Sequence, residues 1–118
     1  MAGALYLYEE KPGTGWSAVA DQRFVATVPE SNGYFGGASA VVGDTLLIGA
    51  PYNEVTGAVY AYQHDGSQWV YDSTILPDDT AVGFGVAISA DEDTAMIGAT
   101  GITGADTGEG SVYMFTSN

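Results

Sequence analysis

The chain has 118 residues, of which 46% are hydrophobic and only 14% are charged, a balance that excludes a disordered polypeptide and allows one small domain. Fifteen acidic and two basic residues give a net charge of −13, which opposes binding to nucleic acids and to anionic membranes. The lack of cysteine removes disulfides, thiolate catalysis and structural zinc, and neither a signal peptide nor a bilayer-spanning apolar run is visible.

Short segments rich in β-branched and aromatic residues follow one another along the chain, each bounded by glycine, aspartate, asparagine or proline. Such segments predict β-strands, and no long segment shows a helical period. In chain order the predicted strand regions are residues 3–8, 15–29, 35–42, 44–50, 57–62, 68–77, 84–89, 93–99 and 110–115. We therefore expect an all-β protein.

The predicted strands belong to an internal repeat. Phe35-Gly36 recurs as Phe84-Gly85, and Gly49-Ala50 recurs as Gly98-Ala99, in both cases 49 residues further along the chain. A Gly-x-x-Tyr segment occurs three times, at residues 3–6, 57–60 and 110–113. Each repeat contains four predicted strands, numbered first to fourth from the Phe-Gly pair.

The predicted strands are apolar on both faces. Residues 41–42 and 46–48 form an almost unbroken apolar run across a predicted turn at Gly43-Asp44. Sheets that are covered on both sides have this pattern, and propeller blades are covered in this way because each blade packs between two neighbours. The sequence predicts four-stranded antiparallel β-propeller blades, about two to two-and-a-half in this chain.

These motifs resemble a known family. Phe35-Gly36, Ile48-Gly49-Ala50-Pro51 and Gly57-Ala58-Val59-Tyr60 are similar to the FG-GAP repeat of integrin α-subunit propellers and of many bacterial surface proteins. The second copy keeps Phe84-Gly85 and Gly98-Ala99, but Thr100 replaces the proline. The resemblance covers essentially the whole chain and implies a propeller used for adhesion or ligand binding. It also implies an extracellular or cell-surface location.

The predicted strands divide the chain into three parts. Residues 1–30 form a partial blade with the third and fourth strands, residues 31–79 form a complete blade, and residues 80–118 form a partial blade with the first to third strands. A single blade is not stable alone, and propellers close with about four to eight blades. Either several copies assemble, as a ring or a filament, or the chain belongs to a longer propeller.

The expected function is that of a non-enzymatic structural or adhesive module, which forms homo-oligomers through blade packing and strand complementation. The alternative is a ligand-binding segment of a larger extracellular propeller, with a protein or a glycan as its partner. Tyr52, Asn53 and Glu54 follow the Gly-Ala-Pro motif outside the strand pattern and are the candidate ligand contacts. No motif predicts a catalytic residue or a cofactor, and the segment 64–67 indicates a hairpin turn rather than a catalytic triad.

Calcium is the one metal that the resemblance implies, since integrin-type blades bind it in the turn between the first and second strands. In the second copy of this turn Asp91 and Asp93 are the candidate ligands, whereas the first copy has only Asp44. The alternative interpretation is that Asp44 and Asp93 accept hydrogen bonds from the backbone of their own turns.

Aromatic residues recur at matching positions of the repeat. We expect these side chains to pack between neighbouring sheets. They are Tyr6, Tyr60 and Tyr113 in the third strand, and Trp16 and Trp69 in the fourth.

Overall fold

The computed structural model describes residues 3–13, 15–16, 19–25, 34–52, 56–77, 81–102 and 110–116. Within these residues the regular secondary structure consists of β-strands, which pair antiparallel in every sheet. No helix in this part of the chain is long and apolar enough to cross a membrane.

An irregular hairpin, called here the N-terminal hairpin, opens the fold. Its strands are β1 (Leu5–Leu7), β2 (Glu10–Lys11), β3 (Gly15–Trp16) and β4 (Gln22–Phe24). Strand β1 pairs with β4, and β2 pairs with β3. The pairing is interrupted where the Asp21 carboxylate accepts a hydrogen bond from the Glu9 N–H at 2.8 Å, so that a side chain occupies the place of a strand carbonyl.

The middle of the chain forms the complete sheet. Its strands are β5 (Ala38–Val42), β6 (Thr45–Ala50), β7 (Ala58–His64) and β8 (Trp69–Ile75), and they lie side by side in chain order. Gly43 and Asp44 form the turn between the first two strands, and Gly43 has a φ of 57°. This order is the four-stranded antiparallel meander expected for a propeller blade.

The last part of the chain forms the C-terminal sheet. Strands β9 (Ala81–Val82) and β12 (Gly101–Ile102) pair with each other beside it, and the sheet itself contains β10 (Ala87–Asp91), β11 (Thr94–Ala99) and β13 (Ser111–Thr116). Glu92 takes the place of Gly43 in the turn between β10 and β11 and has a φ of 49°. This left-handed conformation is uncommon for a residue other than glycine.

The two inner strands of the complete sheet, β6 and β7, are buried on both faces, because successive side chains point to opposite sides and another sheet packs on each side. Leu46, Ile48 and Tyr60 pack toward the N-terminal hairpin, in a cluster that also contains Phe24, Phe35, Ala50, Ala58 and Tyr62. On the other side, a second cluster lies against the C-terminal sheet and contains Leu47, Val59, Ala61, Phe84, Ile97 and Ala99. Each fully buried large side chain contributes about 1.5–3 kcal/mol, so the stacking of sheets is the main source of stability.

The fold class predicted from the sequence is confirmed: the protein is all-β and is built from antiparallel sheets of the propeller type. The strand regions predicted at residues 3–8 and 15–29 are less regular than expected, since the first contains the short strand β1, the second contains β3 and β4, and β2 lies between the two regions. Residues 27–29 lie outside the described part of the chain.

Candidate functional site

The Phe-Gly and Gly-Ala pairs of each repeat meet within their own sheet. The Gly36 N–H donates to the Gly49 carbonyl oxygen at 2.9 Å, and the Gly85 N–H donates to the Gly98 carbonyl oxygen at 3.0 Å. Gly36 and Gly85 have φ values of 90° and 99°, a region that favours glycine. The motif is therefore a backbone junction between the segment that enters the first strand and the end of the second.

Each Phe-Gly pair also forms a joint with the preceding sheet. The backbone of Phe84 lies so close to Gly57 that a Cβ atom on Gly57 would overlap the Phe84 carbonyl oxygen. The Phe84 N–H donates to the Thr56 carbonyl oxygen at 2.9 Å. Phe35 and Gly3 of the N-terminal hairpin repeat this close approach. A glycine before the third strand of one sheet thus allows the backbone of the next sheet to approach closely.

Aromatic rings fill the space behind both joints. The Phe35 ring lies 5.4 Å from the Tyr60 ring, and the Phe84 ring lies 5.3 Å from the Tyr113 ring. The small residues of the motif are buried around them: Ala50, Pro51 and Ala99. The recurring residues of the repeat thus form the contact through which one sheet stacks on the next.

The outward side of the N-terminal hairpin is called here the N-terminal face, and it consists of Tyr6, Tyr8 and Arg23. Tyr6 is 54% exposed, whereas Tyr60, at the same repeat position in the complete sheet, is 2% exposed. The Arg23 guanidinium lies 5.9 Å from the centre of the Tyr6 ring, and its Nε–H donates to the Tyr6 hydroxyl at 3.4 Å. In the complete sheet, the N-terminal hairpin covers the corresponding side.

Within the chain, two of the repeated aromatic residues do not pack between sheets. Tyr6 and Trp16 are exposed, whereas Tyr60 is buried and Trp69 and Tyr113 are half-buried. The reason is position: the hairpin that carries Tyr6 and Trp16 has a neighbouring sheet on one side only among the described residues.

The outward side of the C-terminal sheet is the C-terminal face, and it consists of Asp91, Met96, Val112 and Met114. Val112 is 65% exposed, whereas Val59, at the same repeat position, is 0% exposed. Ile88 and Ala90 pack toward the complete sheet, so the alternation along β10 places Asp91 on the outward side. The edge of this sheet is also open, since no described strand pairs with β13 on the side where β8 pairs with β7.

Of the three candidate ligand contacts, Tyr52 lies at the end of the complete sheet that carries the Phe-Gly and Gly-Ala pairs. Tyr52 is half exposed, and its ring lies 5.2 Å from the ring of Tyr34. Asn53 and Glu54 lie outside the described residues. Tyr34 was not predicted from the sequence, although one signal was present: the same position of the second repeat is Gly83.

The two candidate calcium ligands flank Glu92 at the turn between β10 and β11. Asp93 lines a cavity of about 330 Å³ between the complete sheet and the C-terminal sheet, together with Glu92, Thr45, Gln63, Ser73 and Phe115, whereas Asp91 is not part of its lining. Within the described residues no group of three or more His, Cys, Asp or Glu side chains is arranged to hold a metal ion. Calcium binding stays a prediction, and an unchanged melting temperature after addition of EDTA would contradict it.

His64 and Asp65 stabilise the turn between β7 and β8. The Asp65 carboxylate accepts hydrogen bonds from the backbone N–H groups of Gln68 and Ser67, both at 2.9 Å, and these bonds lower the pKa of Asp65. The Gly66 N–H donates to Nδ1 of His64 at 3.1 Å. These contacts are local turn contacts, as the sequence indicated.

Stacked antiparallel sheets with a recurrent Phe-Gly joint define a repeat protein of the β-propeller type. A family model described as FG-GAP repeat matches residues 16–62 and 69–115, which is more than half of the chain. The chain therefore belongs to the FG-GAP repeat family. Comparisons with curated proteins and with solved structures give no match.

The two family matches do not coincide with single sheets. The first match starts at Trp16 in the N-terminal hairpin and continues through the first three strands of the complete sheet. The second starts at Trp69 in β8 and ends in β13 of the C-terminal sheet. Each family unit thus supplies the last strand of one sheet and most of the next.

Proposed function

We propose that the chain is a non-enzymatic structural or adhesive module that assembles head to tail with further copies of itself. In this assembly the C-terminal face of one copy packs on the N-terminal face of the next. One observation carries the proposal: Val112 and Tyr6 are exposed, although the same repeat positions are buried where two sheets meet inside the chain. Contacts of this head-to-tail kind grow into a ring or a filament.

The charges of the two faces indicate that the molecule packed on each face is a second copy of the chain. Arg23 is one of only two basic residues in the chain, and it lies on the N-terminal face. Asp91 lies on the C-terminal face, together with apolar side chains. Opposite charges on two apolar faces favour heterologous contacts and disfavour the packing of a face on itself.

Strand complementation would be a different contact, made within one sheet rather than between stacked sheets. In the complete sheet, β8 pairs with the outer edge of β7, and Val59 lies opposite Ile75. The corresponding edge of β13 in the C-terminal sheet is open, since it has no partner among the described strands. In the N-terminal hairpin the corresponding pair is Leu5 with Phe24. A strand equivalent to β4 from another copy would satisfy the unpaired backbone groups of β13 once it has separated from β1 of its own hairpin.

The proposed role requires no catalytic residue and no cofactor, because packing and strand pairing account for it. Membership of the FG-GAP family favours an extracellular or cell-surface location, where calcium and salt screen the net charge of −13.

The test is the mass of the purified chain, measured by light scattering over a range of concentrations and followed by electron microscopy. We expect particles of several chains. Val112→Glu should dissociate them, because it places a charge in the centre of the C-terminal face. Val70→Glu is the matched control, since Val70 is exposed on the outer strand β8 and belongs to neither face.

Charge reversal gives a second test. Arg23→Glu alone and Asp91→Arg alone should each weaken the assembly, and the double variant should restore it. A wild-type chain that is a stable, cooperatively folded monomer at all concentrations would overturn the proposal.

A further inference from the structure

Two exposed tyrosines form a separate feature at the Phe-Gly end of the complete sheet. The rings of Tyr34 and Tyr52 lie 5.2 Å apart with an angle of 72° between their planes, and each side chain is about half exposed. Neither residue belongs to the N-terminal or the C-terminal face. The pair is therefore independent of the proposed assembly.

The backbone at Tyr34 is unfavourable for a tyrosine. Tyr34 has a φ of 56°, in the left-handed region, which is strained for a residue other than glycine. The same position of the second repeat is Gly83, with a φ of 73°. The partner position also differs, since Gly101 of the second repeat corresponds to Tyr52. The fold thus accepts glycine at both positions of the pair.

Packing does not account for the two tyrosines in the first repeat. A buried aromatic side chain would repay backbone strain through its burial, but half of each of these side chains remains in contact with solvent. Backbone strain in an exposed aromatic residue is a feature of binding sites, where the strained conformation holds a contact group in place.

We propose that Tyr34 and Tyr52 form a binding site for a neutral carbohydrate. Each ring offers an apolar face to the C–H groups of a sugar and a hydroxyl to its polar groups. The net charge of −13 disfavours anionic glycans. The exposed parts of the two side chains amount to about 200 Å², which matches one or two sugar rings, whereas a stable protein interface needs roughly 800 Å² on each side.

The experiment uses the full chain and a panel of neutral oligosaccharides, namely hexamers of β-1,4-glucose, α-1,4-glucose, β-1,4-mannose and β-1,4-N-acetylglucosamine. Saturation-transfer NMR and titration of the tyrosine fluorescence measure binding. We expect at least one of the four hexamers to bind. Tyr52→Ala should weaken that binding at least tenfold, and so should Tyr34→Gly.

Tyr34→Gly separates binding from stability. Because Gly83 shows that the backbone accepts glycine here, this variant should melt at the wild-type temperature or above it while it loses the sugar. Tyr71→Ala is the control, since Tyr71 is similarly exposed but lies on strand β8, outside both faces, and the variant should keep full binding. The proposal is overturned if none of the hexamers binds at millimolar concentration, or if Tyr34→Gly and Tyr52→Ala bind as the wild type does. Light scattering of the same samples reports the assembly separately.

Discussion

Single glycines decide how closely neighbouring sheets approach. At Gly57 a side chain would overlap the backbone of Phe84, and the φ of 95° is unfavourable for any other residue. Gly110 holds the same position in the third copy of the motif, but its φ is not positive and the nearest atom to an added Cβ is the Ala99 carbonyl oxygen at 3.0 Å. The two glycines therefore share a sequence motif but differ in their surroundings.

Gly57→Ala should lower the free energy of unfolding by roughly 2–4 kcal/mol, because it combines backbone strain with overlap at a joint between sheets. Gly110→Ala is the matched control and should cost less than about 1 kcal/mol. Urea denaturation at concentrations too low for assembly measures both values. Equal costs for the two variants would contradict this account of the joint.

Asp65 makes the turn between β7 and β8 sensitive to acid. Hydrogen bonds from the backbone of Gln68 and Ser67 lower its pKa in the folded state below the ordinary value of 3.8. A carboxyl group whose pKa is lowered in the folded state stabilises the protein at pH values above 3.8. This stabilisation is lost as the pH falls through 3.8 toward the pKa of the folded state. Asp65→Asn should therefore show a weaker decline of stability between about pH 6 and about pH 3.

Thermal unfolding across this pH range compares Asp65→Asn with Asp72→Asn, which removes the same charge from strand β8. A carboxyl pKa of Asp65 at or above 3.8 in an NMR titration would show that the turn does not stabilise its charge.

Among the elements, the N-terminal hairpin is held to the complete sheet by one amide side chain as well as by apolar packing. The Gln22 side chain donates to the Trp69 carbonyl oxygen at 2.7 Å and accepts from the Trp69 N–H at 3.1 Å. The two bonds are partly buried, and like the bonds of a neighbouring strand they satisfy both the N–H and the carbonyl group of one residue. Gln22 thus connects β4 to the first residue of β8.

Gln22→Ala should cost about 1–2 kcal/mol, since it leaves a partly buried donor and acceptor without partners. Amide hydrogen exchange should become faster in β1 and β4 and remain unchanged in the C-terminal sheet. Gln63→Ala is the control, because the exposed Gln63 side chain bonds to the Thr45 hydroxyl and to no other side chain among the described residues. Unchanged exchange in the hairpin would show that apolar packing alone holds it.

The type and order of most strands could be predicted because strand periodicity and the repeat are local properties of the sequence. Leu46, Leu47 and Ile48 indicated a sheet with two apolar faces, and both faces are buried. The breaks in the hairpin were not predictable, since they depend on the Asp21 carboxylate reaching the Glu9 N–H across the hairpin. The contact between Tyr34 and Tyr52 was not predictable either, because it depends on a left-handed backbone at Tyr34.

On the scale of the whole molecule, the sheets form an elongated stack rather than a sphere. The radius of gyration is 15.0 Å and the principal extents are 53 × 32 × 21 Å, whereas a compact domain of this length has a radius of gyration near 13.5 Å. Both ends of the stack carry exposed apolar side chains, namely Tyr6 at one end and Met96 and Val112 at the other. The molecule is thus a short stack of sheets with an exposed apolar surface at each end.

The charge of the whole molecule predicts a dependence on salt. With a net charge of −13, mutual repulsion destabilises the folded chain at low ionic strength, so about 1 M NaCl should raise the melting temperature by several degrees. Near pH 4, close to the isoelectric point of about 4.1, the same addition of NaCl should raise the melting temperature much less. An equal response at both pH values would mean that salt acts through something other than charge screening.

The offset between family unit and sheet bears on how such chains change their length. A unit that runs from Trp16 or Trp69 to the third strand of the next sheet carries the strand that completes its predecessor. Duplication of the corresponding stretch of a gene adds one sheet to the stack. The inserted unit brings the last strand of the preceding sheet, and the unit that follows it brings the last strand of the new sheet. Arrays of this design gain or lose layers in whole steps, and each step leaves the remaining layers intact.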